Sequence, residues 1–273
     1  MNLAIIKETL EICERGFYYV DGNKIKLVLN KEQIENAVVY TDKQISKLID
    51  NFDLNNKNTD KKTIYSVCNT TSFEAACKIN SSNNKTLVLN FANPINPGGG
   101  VRIGSRAQEE DLCRKSTLLL SLEGKKAKNY YNFHRNQRSL LSSDYMIITP
   151  NVEVFRNGDN SLSDNPFIVS VLTCAAPIMT ESVHNMPKIQ YENIFYHRIK
   201  GVLCLAISEG FKNIVLGAWG CGSFGNDANV VAALFYKAFK ELENSLDFDN
   251  VVMAVLDNSI SQYNYKSFKK YFG

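Results

Sequence analysis

The chain has 273 residues, of which 44% are hydrophobic and 22% charged, enough apolar material for one sizeable core. Its net charge of +3 is too mild for a dedicated nucleic-acid surface and is compatible with an anionic substrate. No apolar run reaches transmembrane length, and Lys7, Glu8, Glu11 and Glu14 interrupt the N-terminal stretch, which argues against both a membrane span and a signal peptide.

Taken in chain order, Leu3, Ile5, Ile6, Leu10 and Ile12 mark an amphipathic first helix, and a short strand pair follows around Phe17–Val20 and Lys24–Leu29. Thr41 and Asp42 cap a second helix through Ile45, Leu48 and Ile49. Strand and helix then alternate. Strands are expected at Ile64–Cys68, Leu87–Phe91, Tyr145–Thr149, Ile168–Thr173, Ile214–Gly217 and Val251–Leu256. Helices are expected at Ser72–Ile79, Gln108–Leu120, Lys125–Phe133, Gln190–Ser208, Ala228–Glu243 and Ile260–Tyr271. Continuous apolar strands between amphipathic helices predict a three-layer α/β fold with a mainly parallel, buried sheet. No linker divides the chain, so residues 1–60 read as an N-terminal extension packed on a domain of residues 61–273.

The seven cysteines, Cys13, Cys68, Cys77, Cys113, Cys174, Cys204 and Cys221, are scattered and contain no CxxC pair. Buried, reduced thiols in a cytoplasmic protein account for them better than disulfides or a zinc site. His134, His184 and His197 share no spacing that suggests metal ligands and read as surface or packing residues. Tyr130, Tyr131 and Phe133 follow helical spacing and read as core. Lys125, Lys126, Lys128, Arg135 and Arg138 form a basic face that is ordinarily just solvated.

The segment from Gly98 to Glu110 carries the most chemistry. Gly98, Gly99 and Gly100 follow an apolar strand, have no core to fill, and let the backbone turn sharply and approach a ligand closely. Seven residues later Gln108, Glu109 and Glu110 open a helix, which places two adjacent carboxylates in its first turn. A second glycine-rich loop, Gly217 to Asp227, also joins a strand to a helix. Backbone N–H groups converge on phosphate in such loops, although the same pattern serves as a plain connection, and neither a P-loop nor a dinucleotide fingerprint is present. Phe224 in this loop either faces a ligand or tucks back onto Trp219 and the core. Asn93 and Asn96 flank Pro94, where asparagine is common for local hydrogen bonding, and Thr70, Thr71 and Ser72 read as a helix cap.

The run Gly-Gly-Gly, seven residues, Gln-Glu-Glu resembles the signature of the bacterial-type poly(ADP-ribose) glycohydrolases. The likeness extends to Val67–Thr71, Asn90–Pro97 and Gly217–Asp227. It implies a macrodomain-like fold, with a mixed sheet between two helical layers and a ligand crevice at the strand ends. The implied activity is cleavage of ribose–ribose O-glycosidic bonds from the end of the polymer, with ADP-ribose as product and neither metal nor cofactor required. Glu110 matches the family's acid/base and Glu109 the residue that positions ribose hydroxyls. Asn96 matches a ribose contact; Gly98, Gly99, Gly100, Gln108, Gly220, Cys221, Gly222, Ser223, Phe224 and Gly225 match the family's substrate-binding loops, with Phe224 near the distal ribose. A helix N-terminus lowers a carboxylate pKa, so the expected opposition comes from the neighbouring like charge and the substrate diphosphate, which keep one proton shared by the pair. The first helix is expected to wall off the crevice so that only a chain end fits. Alternatives left open are a mono-ADP-ribosyl hydrolase acting on protein or nucleic acid and a non-catalytic ADP-ribose-binding module. The paired carboxylates speak against the binding module.

Overall fold

The structure, a computed structural model, describes residues 2–28, 31–54, 62–80, 85–179 and 185–273. Helix α1 (Asn2–Arg15) leads into a two-stranded ribbon of β1 (Phe17–Val20) and β2 (Asn23–Lys26). A single turn α2 (Lys31–Ile34), β3 (Val38–Tyr40) and α3 (Asp42–Leu54) follow, then β4 (Ile64–Cys68), α4 (Ser72–Ile79) and β5 (Thr86–Phe91). After a 3-10 turn at Val101–Ile103 come α5 (Gln108–Lys115), α6 (Leu118–Leu122) and α7 (Lys128–Gln137), and then the long hairpin of β6 (Met146–Arg156) and β7 (Leu162–Cys174). Helix α8 (Lys188–Ser208), β8 (Asn213–Leu216), α9 (Ala228–Glu241), β9 (Asn250–Ala254) and α10 (Tyr263–Phe272) complete the order.

The main sheet runs β3-β6-β7-β5-β8-β9-β4, with every neighbouring pair from β7 to β4 parallel and β6 antiparallel to both of its neighbours. Strand alternation sorts the core into two layers. Leu87, Leu89, Ile214, Leu216, Val251 and Met253 pack with the side chains of α3, α8, α9 and α10. Val88, Val215, Val252 and Ala254 pack with α1, α4, α5, α6 and α7 on the other face. Covering both faces is why these strands read as unbroken apolar runs. The mixed three-layer α/β architecture anticipated from the sequence is the one observed.

Departures from the expected elements have local causes. The helix expected over Gln108–Leu120 breaks at Ser116, whose backbone forms an antiparallel bridge to Val154 of β6. The Thr117 N–H donates to the Glu153 carbonyl at 3.1 Å and the Glu153 N–H to Thr117 Oγ1 at 3.0 Å, so the sheet edge outcompetes the helix there. Strand β6 continues past its expected end at Thr149, with a register shift before Val152 that accommodates Pro150 and Asn151. Strand β3 was not anticipated, and through it and α3 the expected 1–60 extension reaches into the sheet and one helical layer. His184 and Leu29 lie outside the described residues.

On α1 the buried positions are Ile6, Thr9 and Ile12, while Leu3 is 53% exposed. Thr9 enters the stripe because its hydroxyl donates to the Arg114 carbonyl at 2.6 Å and accepts from Arg156 Nε at 3.1 Å. Asn2 Nδ2 donates to the Gly104 carbonyl at 3.0 Å, which seats the start of α1 on the turn between the glycine triplet and α5. Among the described residues no helix is long and apolar enough to cross a membrane.

Candidate active site

Helix α5 starts at the C-terminal end of β5, near the middle of the sheet, and its N-terminus is tied down by the first residue of the Gln-Glu-Glu run. Gln108 Oε1 accepts from the Phe91 N–H at 2.9 Å, and Gln108 Nε2 donates to the Leu89 carbonyl at 2.7 Å and Ser72 Oγ at 3.0 Å. Both ends of this amide are therefore spent on clamping α5 to β5 and α4. Helix α4 is itself held by a capping box, in which Thr71 and Glu74 satisfy each other's backbone N–H groups.

With α5 fixed, Glu109 and Glu110 are almost fully buried, at 3% and 6% exposed. Glu109 Oε2 accepts from the Asn93 N–H at 2.7 Å, and Oε1 from Asn90 Nδ2 at 3.2 Å. Glu110 Oε1 accepts from the Gly100 N–H at 2.8 Å. Glu110 Oε2, also buried, has no partner among the described residues. The two carboxylates thus differ in kind: Glu109 is held on both oxygens, whereas Glu110 keeps one oxygen for something else.

Burial pushes the Glu109 carboxyl up to about 8, against the hydrogen bonds from Asn93 and Asn90 that pull it down and with the charge of Glu110 adding to the rise. Desolvation therefore supplies the main opposition to the helix dipole, ahead of the neighbouring charge. The folded state holds a proton on Glu109 that the unfolded chain releases above its ordinary value of 4.5. Stability should then fall as pH rises from about 4.5 to about 8, and Glu109→Gln should flatten that slope by one proton. Melting temperatures of both proteins across this window test the sign; parallel curves would show that Glu109 ionises freely.

The glycine triplet stands behind the carboxylates. Gly99 adopts φ +59, and a Cβ there would lie 2.4 Å from Glu110 Oε1 and 3.0 Å from Glu109 Oε2. Asn93 Oδ1 accepts from the Ile95 and Asn96 N–H groups at 2.8 and 2.9 Å, and the Asn96 carbonyl accepts from the Gly99 N–H at 2.9 Å, which shapes the approach to the triplet.

Across the cleft, the second loop is organised by Asn226 and Asp227. Asn226 Nδ2 donates to the carbonyls of Pro177 at 2.9 Å and Gly220 at 3.0 Å, and its Oδ1 accepts from the Tyr191 hydroxyl. Gly220 has φ +76, and a Cβ would meet Asn226 Nδ2 at 2.6 Å. Asp227 is the N-cap of α9 through the Val230 N–H at 3.0 Å. Phe224 is half-buried: it packs on the core layer that contains Trp219 and at the same time lines the cleft, so both sequence readings hold.

The cleft between the two loops measures about 550 Å³. Gln108, Glu109, Glu110, Gly220, Gly222, Ser223 and Phe224 form part of its wall, together with Thr70, Thr71, Ser72, Phe91, Asn93 and Leu256. Gly98, Gly99, Gly100, Cys221 and Gly225 stand outside the lining, and Asn96 is exposed on its loop.

The model of the microbial-type PARG catalytic domain matches residues 6–157, which include the triplet and both carboxylates. The chain belongs to this family. Among solved structures, poly(ADP-ribose) glycohydrolase from Thermomonospora curvata is 31% identical, with a TM-score of 0.90 over 99% of both chains. The same enzyme bound to the inhibitor ADP-HPD superposes with a TM-score of 0.87 over 98% of both chains. The Deinococcus radiodurans poly(ADP-ribose) glycohydrolase in complex with ADP-ribose is 32% identical, with a TM-score of 0.81 over 90% of this chain and 98% of that one. No curated protein matches the chain significantly.

Within this family fold the structure adds cleft residues that the sequence reading passed over. Arg106 is exposed at the rim. Asp111 and Lys115 sit one turn apart on α5, with Lys115 Nζ 2.9 Å from Asp111 Oδ1 and donating to the Gly158 carbonyl at 3.1 Å. Their i,i+4 spacing is that of an ordinary surface ion pair. Lys115 is instead 2% exposed.

Elsewhere the expectations are met in part. Tyr130 and Tyr131 are core, and Phe133 stacks on Tyr145 at 4.0 Å. His134 is buried between the Tyr130 carbonyl and the Ser143 hydroxyl, and His197 pairs with Asp144 at 2.9 Å. All seven cysteines are free, but only Cys113, Cys174 and Cys204 are buried as expected; Cys13, Cys68 and Cys221 are half-buried and Cys77 is exposed.

Proposed function

We propose that this chain is a poly(ADP-ribose) glycohydrolase that removes ADP-ribose from the polymer end, with Glu110 as the group that meets the scissile bond. The observation that carries the assignment is Glu110 Oε2, the one oxygen of the buried pair without a protein partner. A buried carboxylate oxygen left free beside a cleft is costly unless a substrate completes it.

Cleavage requires a proton on the departing oxygen and tolerance of positive charge at the anomeric carbon. The proton of the carboxyl pair reaches the oxygen of the next unit through Glu110 Oε2 as the anomeric C–O bond breaks. A water then forms the new C–O bond and returns a proton to Glu110. Glu109 is held from both sides, yet each of its oxygens keeps a second lone pair for a ribose hydroxyl. The second loop, with the N-terminus of α9 behind it, takes the diphosphate side. The fit of a family member bound to ADP-ribose and of another bound to ADP-HPD supports this placement.

End-directed attack rests on α1. Asn2 fixes it to the Gly104 turn at one lip of the site, where it acts as a wall beyond the terminal ribose. Labelled polymer and mono-ADP-ribosylated protein, incubated in parallel with the enzyme, test the whole reading. Free ADP-ribose should appear almost alone from long polymer, and the modified protein should retain its label. Early short oligomers would count against an end-directed enzyme, and release from the protein alone would count against a polymer substrate.

A further inference from the structure

Between the glycine triplet and the glutamates, residues 101–107 form a loop that is fastened along its length. Val101 is buried in the core layer that α5 and α6 cover. Arg102 makes a two-point ion pair with Glu123, just past α6, with both contacts at 2.8 Å. The Ile103 and Ser105 N–H groups both donate to the Gly100 carbonyl at 3.1 Å. Asn2 of α1 holds the Gly104 carbonyl, and Arg114 Nη1 donates to the Ser105 carbonyl at 2.6 Å.

Two side chains of this fixed loop take no part in holding it. Ile103 is 82% exposed. Arg106 is exposed, lines the cleft, and has no ion-pair or hydrogen-bond partner among the described residues. The other cation of the cleft wall, Lys115, is engaged by Asp111 and the Gly158 carbonyl. Arg106 is therefore the uncommitted positive charge of the described wall, which also carries the carboxylates of Glu109, Glu110 and Asp111. An exposed isoleucine alone is ordinary. Paired with a free guanidinium on a rigid loop, it suits a ligand that has both a flat apolar face and a negative charge.

Gly100 sets the scale. Its N–H lies 2.8 Å from Glu110 Oε1, and Ile103 Cγ1 lies 3.5 Å from the place of a Cβ on Gly100, which keeps Ile103 within about 9 Å of the Glu110 carboxylate. Arg106 stands just ahead of α5, on the same short stretch of chain as Glu110.

We propose that Ile103 and Arg106 form the subsite for the departing unit of the polymer, with Ile103 under its base and Arg106 on its diphosphate. This inference rests on reading the cleft as that of a glycohydrolase, and it names the leaving group that the cleft prefers. The terminal unit fills the cleft, so what emerges past Glu110 is its neighbour, with a base, a ribose and a diphosphate of its own. Helix α1 covers the loop at Gly104, where Leu3 Cγ lies 3.5 Å from the place of a Cβ, and the exposed remainder of the loop is left for that neighbour. The guanidinium pairs with phosphate oxygens at two points, and the alkyl side chain covers a base face. Neither residue touches the bond that breaks. Both select a nucleotide leaving group over an amino-acid side chain.

The test compares two substrates: short ADP-ribose polymer, and p-nitrophenyl ADP-ribose, whose leaving group has neither base nor phosphate. The ratio of kcat/KM on polymer to that on the nitrophenyl compound should fall about fivefold or more in Arg106→Gln and about threefold in Ile103→Ser. Raising salt should raise the polymer KM of the wild-type enzyme, and Arg106→Gln should flatten the slope of log KM against log salt by about 0.7, the share of one phosphate contact on a single strand. Both side chains are exposed, so Tm should stay within about 2 °C. Binding gives a readout without turnover. In the Glu110→Gln background a dimer of ADP-ribose should bind more tightly than ADP-ribose by calorimetry, and adding Arg106→Gln should remove that advantage. Equal losses on both substrates, or an unchanged ratio in both variants, overturn the proposal. Wild-type enzyme that is inert on both substrates would defeat the glycohydrolase reading itself, whereas activity on both with an unchanged ratio in the variants defeats this inference alone.

Discussion

Glu110→Gln should lose about 10²–10⁴-fold in the rate of ADP-ribose release while binding ADP-ribose with nearly wild-type affinity. The amide keeps the shape of the side chain, and its oxygen can still accept from the Gly100 N–H, which now lies 2.8 Å from Glu110 Oε1. What disappears is the proton that Oε2 delivers and later recovers. Glu109→Gln is the informative comparison, because both oxygens of Glu109 are bonded to Asn90 and Asn93. An amide NH₂ placed where the Asn93 N–H points would leave two donors facing each other, so this variant should disturb binding as well as rate. Single-turnover release and calorimetry on the two variants separate the roles. Near-wild-type turnover by Glu110→Gln would sink the assignment, and so would loss of ADP-ribose binding in that variant alone.

The fold was legible where a local apolar run or a helix cap marks the element. Strand β4 and helix α4 fall at their expected limits, and β5 differs by one residue. Elements that owe their form to a partner were not legible. Strand β3 is three half-covered residues that become a strand only by pairing with β6. Ser116 ends α5 because β6 offers its backbone a better partner, and no helix-stop signal marks the position.

The site divides the same way. The glutamate pair and both glycine loops stand out as residue types in a fixed pattern, but the division of labour between Glu109 and Glu110 depends on Asn90 and Asn93, which reach back from the strand end. Gln108 shows the limit most clearly. A polar residue opening the catalytic helix matches a ligand contact in sequence, yet its amide is consumed by Phe91, Leu89 and Ser72. Asn90, Thr149 and Thr173 are single polar residues inside apolar strands, and only the three-dimensional sheet puts them on one face.

Gly99→Val should abolish both ADP-ribose binding and turnover while circular dichroism stays that of the folded protein. In sequence the triplet suggests a backbone that must come close to the ligand. The structure makes the reason more specific: the nearest atoms to a Cβ at Gly99 are Glu110 Oε1 at 2.4 Å and Glu109 Oε2 at 3.0 Å. Real Cβ atoms do not approach so closely, so one carboxylate or the loop has to move. The backbone also sits at φ +59, where a β-branched residue is strained by about 1–2 kcal/mol. Either displacement breaks the contact between the Gly100 N–H and Glu110 and turns the free oxygen away from the cleft. Gly99→Ala isolates the steric part, since alanine tolerates this backbone region better than valine, and it should still cost about 10²-fold or more in rate. The sheet and both helical layers lie outside this loop, and the fold should persist in each variant. Full activity in Gly99→Ala would mean that the two carboxylates have room to yield, and the triplet would then be a turn and nothing more.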